Sequence, residues 1–420
     1  MIRRLLIFTF LGCCFAGCTV PSNSNTSVTQ TTPSPGASAS PAKTQTASVQ
    51  VTLPLLDALL SDEKFVDQLK SSLKLSEDQI SSLKQASSAE IDRLRESNAE
   101  DLDGNATDAR ARADEKLRSI LGEEKTRDLA SLVTDYWAKG DPTAPTDDKN
   151  APAEMLPGPN AVPTDTRVVV NIPAFRMDLF QDGALVKTYK VGIGYPEFSF
   201  AAGVRKASSI IFNPTWTPPD SPWVAKMKNV TPGETVEAGD KDNPLGPIKI
   251  PIGLPSLIHG GKSPAKIGKF ASHGCVGLTN AQVKDFAARL GSASNAEISE
   301  QTITSYLQHK EQTKTVKLGR AVPVELRYET IVVEDGKLHI YPDVYAQNTN
   351  TEENLRNVLE THGTRLNDLS EQQKAQALDG LKARKEVVID LGTVAQKGYP
   401  APVDLDTGQK VPRIKRMKAD

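Results

Sequence analysis

The sequence predicts a multidomain α+β protein, in which a mainly antiparallel β domain, built as a sandwich or barrel-like sheet, lies between two helical regions. Residues 166–345 contain many short β-branched and aromatic runs separated by turns, including two Asp-Gly pairs typical of tight hairpins. Residues 51–140 and 346–395 instead carry apolar residues at helical spacing. A chain of 420 residues has room for two or three such units.

Residues 1–17 are predicted to be a signal peptide. The basic pair Arg3-Arg4 precedes an apolar run, residues 5–15, that is too short to span a bilayer stably. Residues 15–18, Phe-Ala-Gly-Cys, resemble the lipobox of bacterial lipoproteins, except that Phe15 stands where Leu is usual. The resemblance implies lipidation of Cys18 and an exported protein anchored to a membrane in the cell envelope or periplasm. The alternative is an ordinary signal peptide cleaved at a small residue.

The next segments differ sharply in composition. Residues 18–50 are mostly small and polar and are predicted to form a disordered tether. Residues 51–140 are predicted to form a helical hairpin or small bundle, with a capping box at Ser76 and Gln79 and a break at residues 103–105. Residues 75–79 are faintly similar to repeats of periplasmic helical stress proteins; the alternative is an amphipathic spacer. Residues 141–165 are predicted to be a linker.

Residues 166–345 are predicted to be the β domain, with hairpins at Asp182-Gly183 and Asp335-Gly336. Other strands are expected at residues 208–212, 248–252, 256–258, 322–326, 330–333 and 338–341. One clear helix is expected at residues 280–290. Residues 346–395 are predicted to be a helical extension, and residues 396–420 a loosely held tail.

Charge and cysteine content narrow the possible functions. The chain has 50 basic and 52 acidic residues, so we expect no nucleic-acid partner. Of the 4 cysteines, Cys13 and Cys14 would leave with the signal peptide and Cys18 would take the lipid. Cys275 would then be the only free thiol of an exported protein, where unpaired thiols are a liability. We therefore take Cys275 as a candidate reactive group.

The stretch from residue 258 to residue 280 surrounds this thiol with His259, His273 and several glycines. A thiol, a histidine and accessible backbone amides are what cysteine acyl transfer requires, as nucleophile, base and oxyanion site. Two histidines and a cysteine could also bind zinc. However, His273 and Cys275 are only two residues apart and no CxxC or HExxH pattern is near them. We expect neither a metal nor an organic cofactor.

His259-Gly260, followed by Ser-His-Gly-Cys-Val at residues 272–276, resembles the active-site signature of the L,D-transpeptidases, the YkuD-type catalytic domain. Residues 213–219, residues 243–246 and the opening hairpin at residues 177–194 are similar to other segments of that family. The resemblance covers about residues 167–345. It implies that Cys275 is the nucleophile and that His259 or, as in most members, His273 is the base.

The same resemblance implies roles for the neighbouring residues. The carbonyl of Gly260 would orient the imidazole, and the side chain of Ser272 would shape the loop. The backbone amides of His273, Gly274 and Cys275 would bind the oxyanion. A nearby histidine is expected to lower the pKa of the thiol.

We assign Trp216, Gly277 and Asn280 to substrate binding; for Trp216 a core position is the alternative. Gly277 departs from the family, which usually carries Arg or Asn there, and residues 198–203 replace its common Thr-Pro-x-Gly segment.

The implied function is transpeptidation of peptidoglycan stem peptides, with release of D-Ala through a thioester and formation of 3→3 crosslinks or a protein–wall linkage. Acylation by carbapenems is a further expectation. The alternatives are a catalytically impaired peptidoglycan-binding anchor, which Gly277 favours, and a helical chaperone-like lipoprotein tethered by its β domain.

Overall fold

The computed structural model describes residues 51–97, 106–138, 154–199, 202–219, 224, 227–253, 255–296, 298–392 and 398–409. The predicted signal peptide, Cys18, the tether and the predicted helix break at residues 103–105 lie outside these ranges. No helix within them is long and apolar enough to cross a bilayer.

The N-terminal region is a helical bundle. Asp62 caps its second helix by accepting a 3.1 Å hydrogen bond from the N–H of Lys64. The predicted capping box is confirmed, since Ser76 and Gln79 exchange hydrogen bonds of 3.2 Å in both directions. A continuous core of leucines with Phe65 lies between the helices. The helices are α1 (Leu53–Leu60), α2 (Glu63–Ser72), α3 (Glu77–Ser97) and α4 (Ala106–Ala138), the last interrupted at Gly122.

The centre of the protein is an 8-stranded sheet, beside which lies a small second sheet of two strands. The strands are β1 (Arg167–Asn171), β2 (Arg176–Gln181), β3 (Ala184–Lys190), β4 (Ile193–Gly194), β5 (Gly203–Phe212), β6 (Ile248–Pro251), β7 (Leu257–His259), β8 (Phe270–Ser272), β9 (Val276–Gly277) and β10 (Lys314–Arg327). The large sheet has the order β3-β2-β1-β10-β5-β6-β7-β9, and β4 and β8 form the small one. In the large sheet β1–β10 and β7–β9 are parallel and the other pairs are antiparallel. The predicted mainly antiparallel α+β class is confirmed.

Both predicted hairpins form, and their turns show why the sequence carries Asp-Gly there. Asp182 and Gly183 have φ values of 49° and 83°, and Asp335 and Gly336 have φ values of 45° and 78°. Two consecutive residues with positive φ define the turn whose twist matches that of paired strands.

Two helices pack on the large sheet. Helix α5 (Asn280–Ala293) starts at a capping box between Thr279 and Gln282 and buries Val283, Phe286 and Leu290, as predicted. Helix α6 (Glu300–Gln308) was not predicted. Its buried residue is Ile303, and one buried apolar residue does not give the repeated spacing that indicates a helix in a sequence.

The C-terminal region differs in part from the predicted helical extension. It contains α7 (Glu352–Thr361) and α8 (Glu371–Gly380), but also strand β13 (Val387–Asp390). Its Val-Val-Ile run consists of β-branched residues, which favour a strand. This strand forms a 3-stranded sheet with β11 (Ile331–Glu334) and β12 (Lys337–Ile340), and α7 and α8 pack on it. The hairpin at Asp335 therefore belongs to this module and not to the large sheet.

The described part of the predicted tail, residues 398–409, is held firmly, which differs from the expectation of a loose segment. Tyr399 is buried, lies 5.8 Å from the Phe180 ring and donates a 3.1 Å hydrogen bond to Asp178. The N–H of Thr188 donates to the carbonyl of Val403. The one sequence signal for this attachment is the aromatic residue Tyr399, which anchors the segment in the fold. The basic residues beyond residue 409 lie outside the described ranges.

Candidate active site

Strands β7 and β9 bring the two halves of the candidate site together. They pair in parallel, with Ile258 opposite Val276 and His259 opposite Gly277. Ile258 and Val276 are fully buried in the main core and so fix the two strands. This pairing places His259–Gly260 beside the turn formed by residues 272–275, although about a dozen residues separate them in sequence.

Ser272 closes that turn around Cys275. Its hydroxyl donates to the carbonyl of Cys275 and accepts a 3.1 Å hydrogen bond from the Cys275 N–H. Gly274 has φ 91°, a conformation that other residues adopt only under strain. Of the three backbone amides expected to bind the oxyanion, that of Cys275 is therefore bonded to Ser272 within the turn.

Cys275 is a free cysteine of the described ranges, and the residue as a whole is half-buried. Burial raises its pKa, and this outweighs the opposing influence of the Leu257 backbone and of the cations Lys262, Arg205 and Lys249. The expectation that the site lowers this pKa is therefore wrong for the resting state. The thiol is protonated at neutral pH and needs a base to become a nucleophile.

His259 is 3 % exposed, and burial followed by repulsion from Lys262 lowers its pKa to about 3. The imidazole is therefore neutral at every physiological pH. The adjoining Gly260 is tightly surrounded, since a Cβ there would lie 2.8 Å from Val283 and 3.0 Å from Asn280. A side chain at position 260 would therefore overlap Val283 and Asn280 of α5, which explains the glycine at the end of β7.

His273 is partly exposed and lies between two aromatic rings. The ring centroids of Tyr195 and Phe198 are 5.2 Å and 4.9 Å from that of the imidazole. Phe198 meets it edge-on, a favourable geometry for aromatic pairs. These contacts hold the imidazole of His273, which precedes Cys275 by two residues. Neither ring was predicted from the sequence to lie at the site.

The three predicted substrate-binding residues lie in different environments. Trp216 is buried in a small cluster with Val224 and Leu245, which corresponds to the core alternative. Asn280 is exposed, accepts a 2.7 Å hydrogen bond from the N–H of Gly261, and lines a cleft of about 330 Å³. Gly277 is buried in β9.

Residues 165–324 match the family model of the L,D-transpeptidase catalytic domain. The predicted resemblance is confirmed for this part of the chain. No curated protein matches the chain.

Three of the solved structures that are similar to part of this chain are the following. The catalytic domain of an E. faecium L,D-transpeptidase is 17% identical, with 40% of this chain and 100% of that chain covered and a TM-score of 0.26. An L,D-transpeptidase from Mycobacterium smegmatis is 14% identical, with 39% and 58% covered and a TM-score of 0.24. L,D-transpeptidase 3 from Mycobacterium tuberculosis, in complex with a faropenem-derived adduct, is 14% identical, with 39% and 60% covered and a TM-score of 0.22. The chain thus spans less than two thirds of the two mycobacterial chains.

The N-terminal helices contact the domain that contains the large sheet, beside the candidate site. Leu94 of α3 is fully buried against Tyr195 and Phe198, the rings that flank His273. Leu55 of α1 reaches the active-site turn, because a Cβ on Gly274 would lie 3.1 Å from its Cδ2 atom. The helical region therefore forms part of the wall of the site.

Charges reinforce this contact. Arg112 of α4 donates to Glu90 of α3 at 2.9 Å and also lies 3.3 Å from Glu197, which precedes Phe198. Glu197 is 4 % exposed, and burial raises its pKa. Arg110 donates a 2.8 Å hydrogen bond to the carbonyl of Tyr345.

Within the described ranges, no three His, Cys, Asp or Glu side chains are grouped as a metal site. The strand pairing places His259 opposite Gly277, two residues beyond Cys275, and His273 precedes Cys275 by two residues in the turn. Lys262, Arg205 and Lys249 were not recognised as neighbours of the thiol from the sequence. Of these, Lys262 lies within the signature region, where it could have been found.

Proposed function

We propose that this protein is a cysteine-dependent L,D-transpeptidase that acts on tetrapeptide stems of peptidoglycan. The observation that carries the proposal is the family match over residues 165–324, because this segment contains both histidines and the thiol. The turn at residues 272–275 and its neighbouring strands supply a coherent site for acyl transfer.

In the proposed reaction, Cys275 loses its proton to an imidazole, and its sulfur attacks the carbonyl between the L-centre of diaminopimelate and the terminal D-Ala. The amides of His273 and Gly274 donate to the oxyanion. The C–N bond then breaks, and D-Ala leaves after taking the proton from the imidazolium. The stem remains bound to Cys275 as a thioester.

We propose His273 as the base. Its imidazole is partly exposed and belongs to the same turn as the thiol, whereas His259 is buried with a pKa of about 3. Such a weakly basic imidazole accepts a proton poorly at neutral pH. His259 would act as a neutral polar group, with the Gly260 carbonyl beside it.

A second amine completes the cycle by attacking the thioester carbonyl and releasing the thiol. A diaminopimelate side chain would give a 3→3 crosslink, and a lysine of an envelope protein would give a protein–wall linkage. A carbapenem would acylate Cys275 by opening its β-lactam ring. We propose an envelope location with a lipid anchor at Cys18, in line with the lipobox-like segment.

A peptidoglycan-binding anchor with little turnover is the second candidate. Two observations favour it: Gly277 carries no side chain near the thiol, and burial raises the pKa of Cys275. It predicts that the stem binds but is not cleaved.

Mass spectrometry of the purified protein, mixed with a carbapenem or with a disaccharide-tetrapeptide, tests the proposal. We expect a covalent adduct, D-Ala release and dimer formation with wild type, and none of these with Cys275→Ala. An adduct without D-Ala release or dimer would favour the impaired anchor. Binding of wall fragments without any adduct would reject the enzyme.

A further inference from the structure

Gly277 lies in β9, two residues after Cys275, and its backbone is fixed on both sides. It pairs with His259, and its N–H and C=O exchange hydrogen bonds of 2.9 Å with Gly192. Its φ is not among the positive values of the described glycines. The backbone conformation therefore does not explain why this position is glycine.

The side chain of Lys262 does explain it. A Cβ on Gly277 would lie 2.7 Å from Cγ and 2.8 Å from Cε of Lys262. Both distances are shorter than real Cβ contacts, so the lysine stem fills the space of the missing side chain. The N–H of Lys262 also donates a 3.0 Å hydrogen bond to the carbonyl of Leu278, which fixes the lysine backbone to the end of β9.

Charged and titratable groups face the Cys275 thiol from each surrounding element. Among the three cations, Lys262 has the largest favourable effect on the thiolate. The interaction is mutual, since the thiolate favours the charged ammonium while burial and Lys266 oppose it. The cations that act on the thiol are Arg205 on β5, Lys249 on β6 and Lys262 in the loop after β7. The titratable imidazoles of the adjoining segments are His259, opposite Gly277 on β7, and His273 in the turn itself.

We propose that Lys262 is the activating cation of Cys275, and that position 277 is glycine because the lysine stem must cross it to reach the thiol. When the proton moves from sulfur to imidazole, the ammonium faces the new negative charge and stabilises it. The inference rests on the proposed function only in taking Cys275 as the reacting group.

The test is the pH dependence of Cys275 alkylation by iodoacetamide, followed by mass spectrometry without any wall substrate. Lys262→Met is expected to raise the midpoint by about 1 unit, as loss of a neighbouring opposite charge does. Alkylation at neutral pH then slows about tenfold, while the limiting rate at high pH stays the same. Lys262→Arg should keep the wild-type midpoint. Lys269→Met removes the same charge from an exposed side chain and is the matched control.

Gly277→Ala provides a second, independent variant. Its methyl group should displace the lysine stem and raise the midpoint in the wild-type background. In the Lys262→Ala background it should add nothing, because no stem remains to be displaced. Circular dichroism verifies that each variant is folded.

An unchanged midpoint in folded Lys262→Met, or additive effects of the two substitutions, would overturn the inference. A wild type that releases no D-Ala would reject the transpeptidase while leaving the alkylation result valid. The two failures are therefore distinguishable.

Discussion

Gly274→Ala is expected to destabilise the active-site turn and to slow acylation of Cys275. A residue with a Cβ at φ 91° costs about 1–2 kcal/mol. The new methyl group would also lie 3.1 Å from Cδ2 of Leu55, the flexible end of a side chain. Overpacking there adds up to about 1 kcal/mol. The expected loss in free energy of unfolding is therefore about 1–3 kcal/mol.

Urea denaturation followed by tryptophan fluorescence measures this loss, and the rate of carbapenem adduct formation measures the effect on the site. Gly336→Ala is the matched control, because Gly336 has φ 78° and its nearest contact is 3.5 Å away in the C-terminal module. It should lose about 1–2 kcal/mol with no change in acylation rate. Adding Leu55→Ala to Gly274→Ala should remove the overlap with the new methyl group, but not the cost of the positive φ at position 274. Wild-type stability and acylation rate in Gly274→Ala would refute the reasoning.

Three further predictions concern the same site. Ser272→Ala removes the hydroxyl that bonds both the N–H and the carbonyl of Cys275, so it should cost about 1–3 kcal/mol in urea denaturation and slow adduct formation; unchanged values would exclude a role in closing the turn. Leu94→Ala should lower the free energy of unfolding by about 2–5 kcal/mol, because it leaves a cavity behind the rings that hold His273, and it should also slow adduct formation. A loss of stability with an unchanged acylation rate would show that the helices do not support the site. Because the pKa of His259 falls to about 3 on folding, the unfolded chain binds the extra proton and stability should fall as pH drops from about 6.5 towards 3. Urea midpoints of wild type and His259→Asn across that range test this, and equal slopes would contradict it.

Local patterns were sufficient to predict much of the fold. The Asp-Gly turns, the capping box at Ser76 and the apolar spacing of α5 each depend on residues close in sequence, so they could be predicted without a structure. Helix α6 was missed because Ile303 is its buried apolar residue, whereas Tyr306 and Leu307 are only partly buried against the core. Strand β13 was missed because its partner β12 lies far away in the chain, and pairing decides strand formation.

The candidate site could likewise be predicted only where its residues are close in sequence. The signature around Cys275 could be recognised because its residues are consecutive. The rings beside His273, the cation Arg205 and the helix residue Leu55 come from distant segments, and only the folded chain brings them together. The raised pKa of the thiol was missed for this reason, since burial is a property of the whole fold.

Leu55 packs on Gly274 and Leu94 packs on Phe198, so a shift of the Cys275 turn would be coupled to a shift of the N-terminal helices. If acylation of Cys275 shifts the turn, it changes the affinity of the helical bundle for whatever binds it. Thermodynamic reciprocity then requires that such a partner change the equilibrium affinity of the turn for its ligand by the same factor. A partner of the helical region would then adjust the ligand affinity of the Cys275 turn without touching that turn.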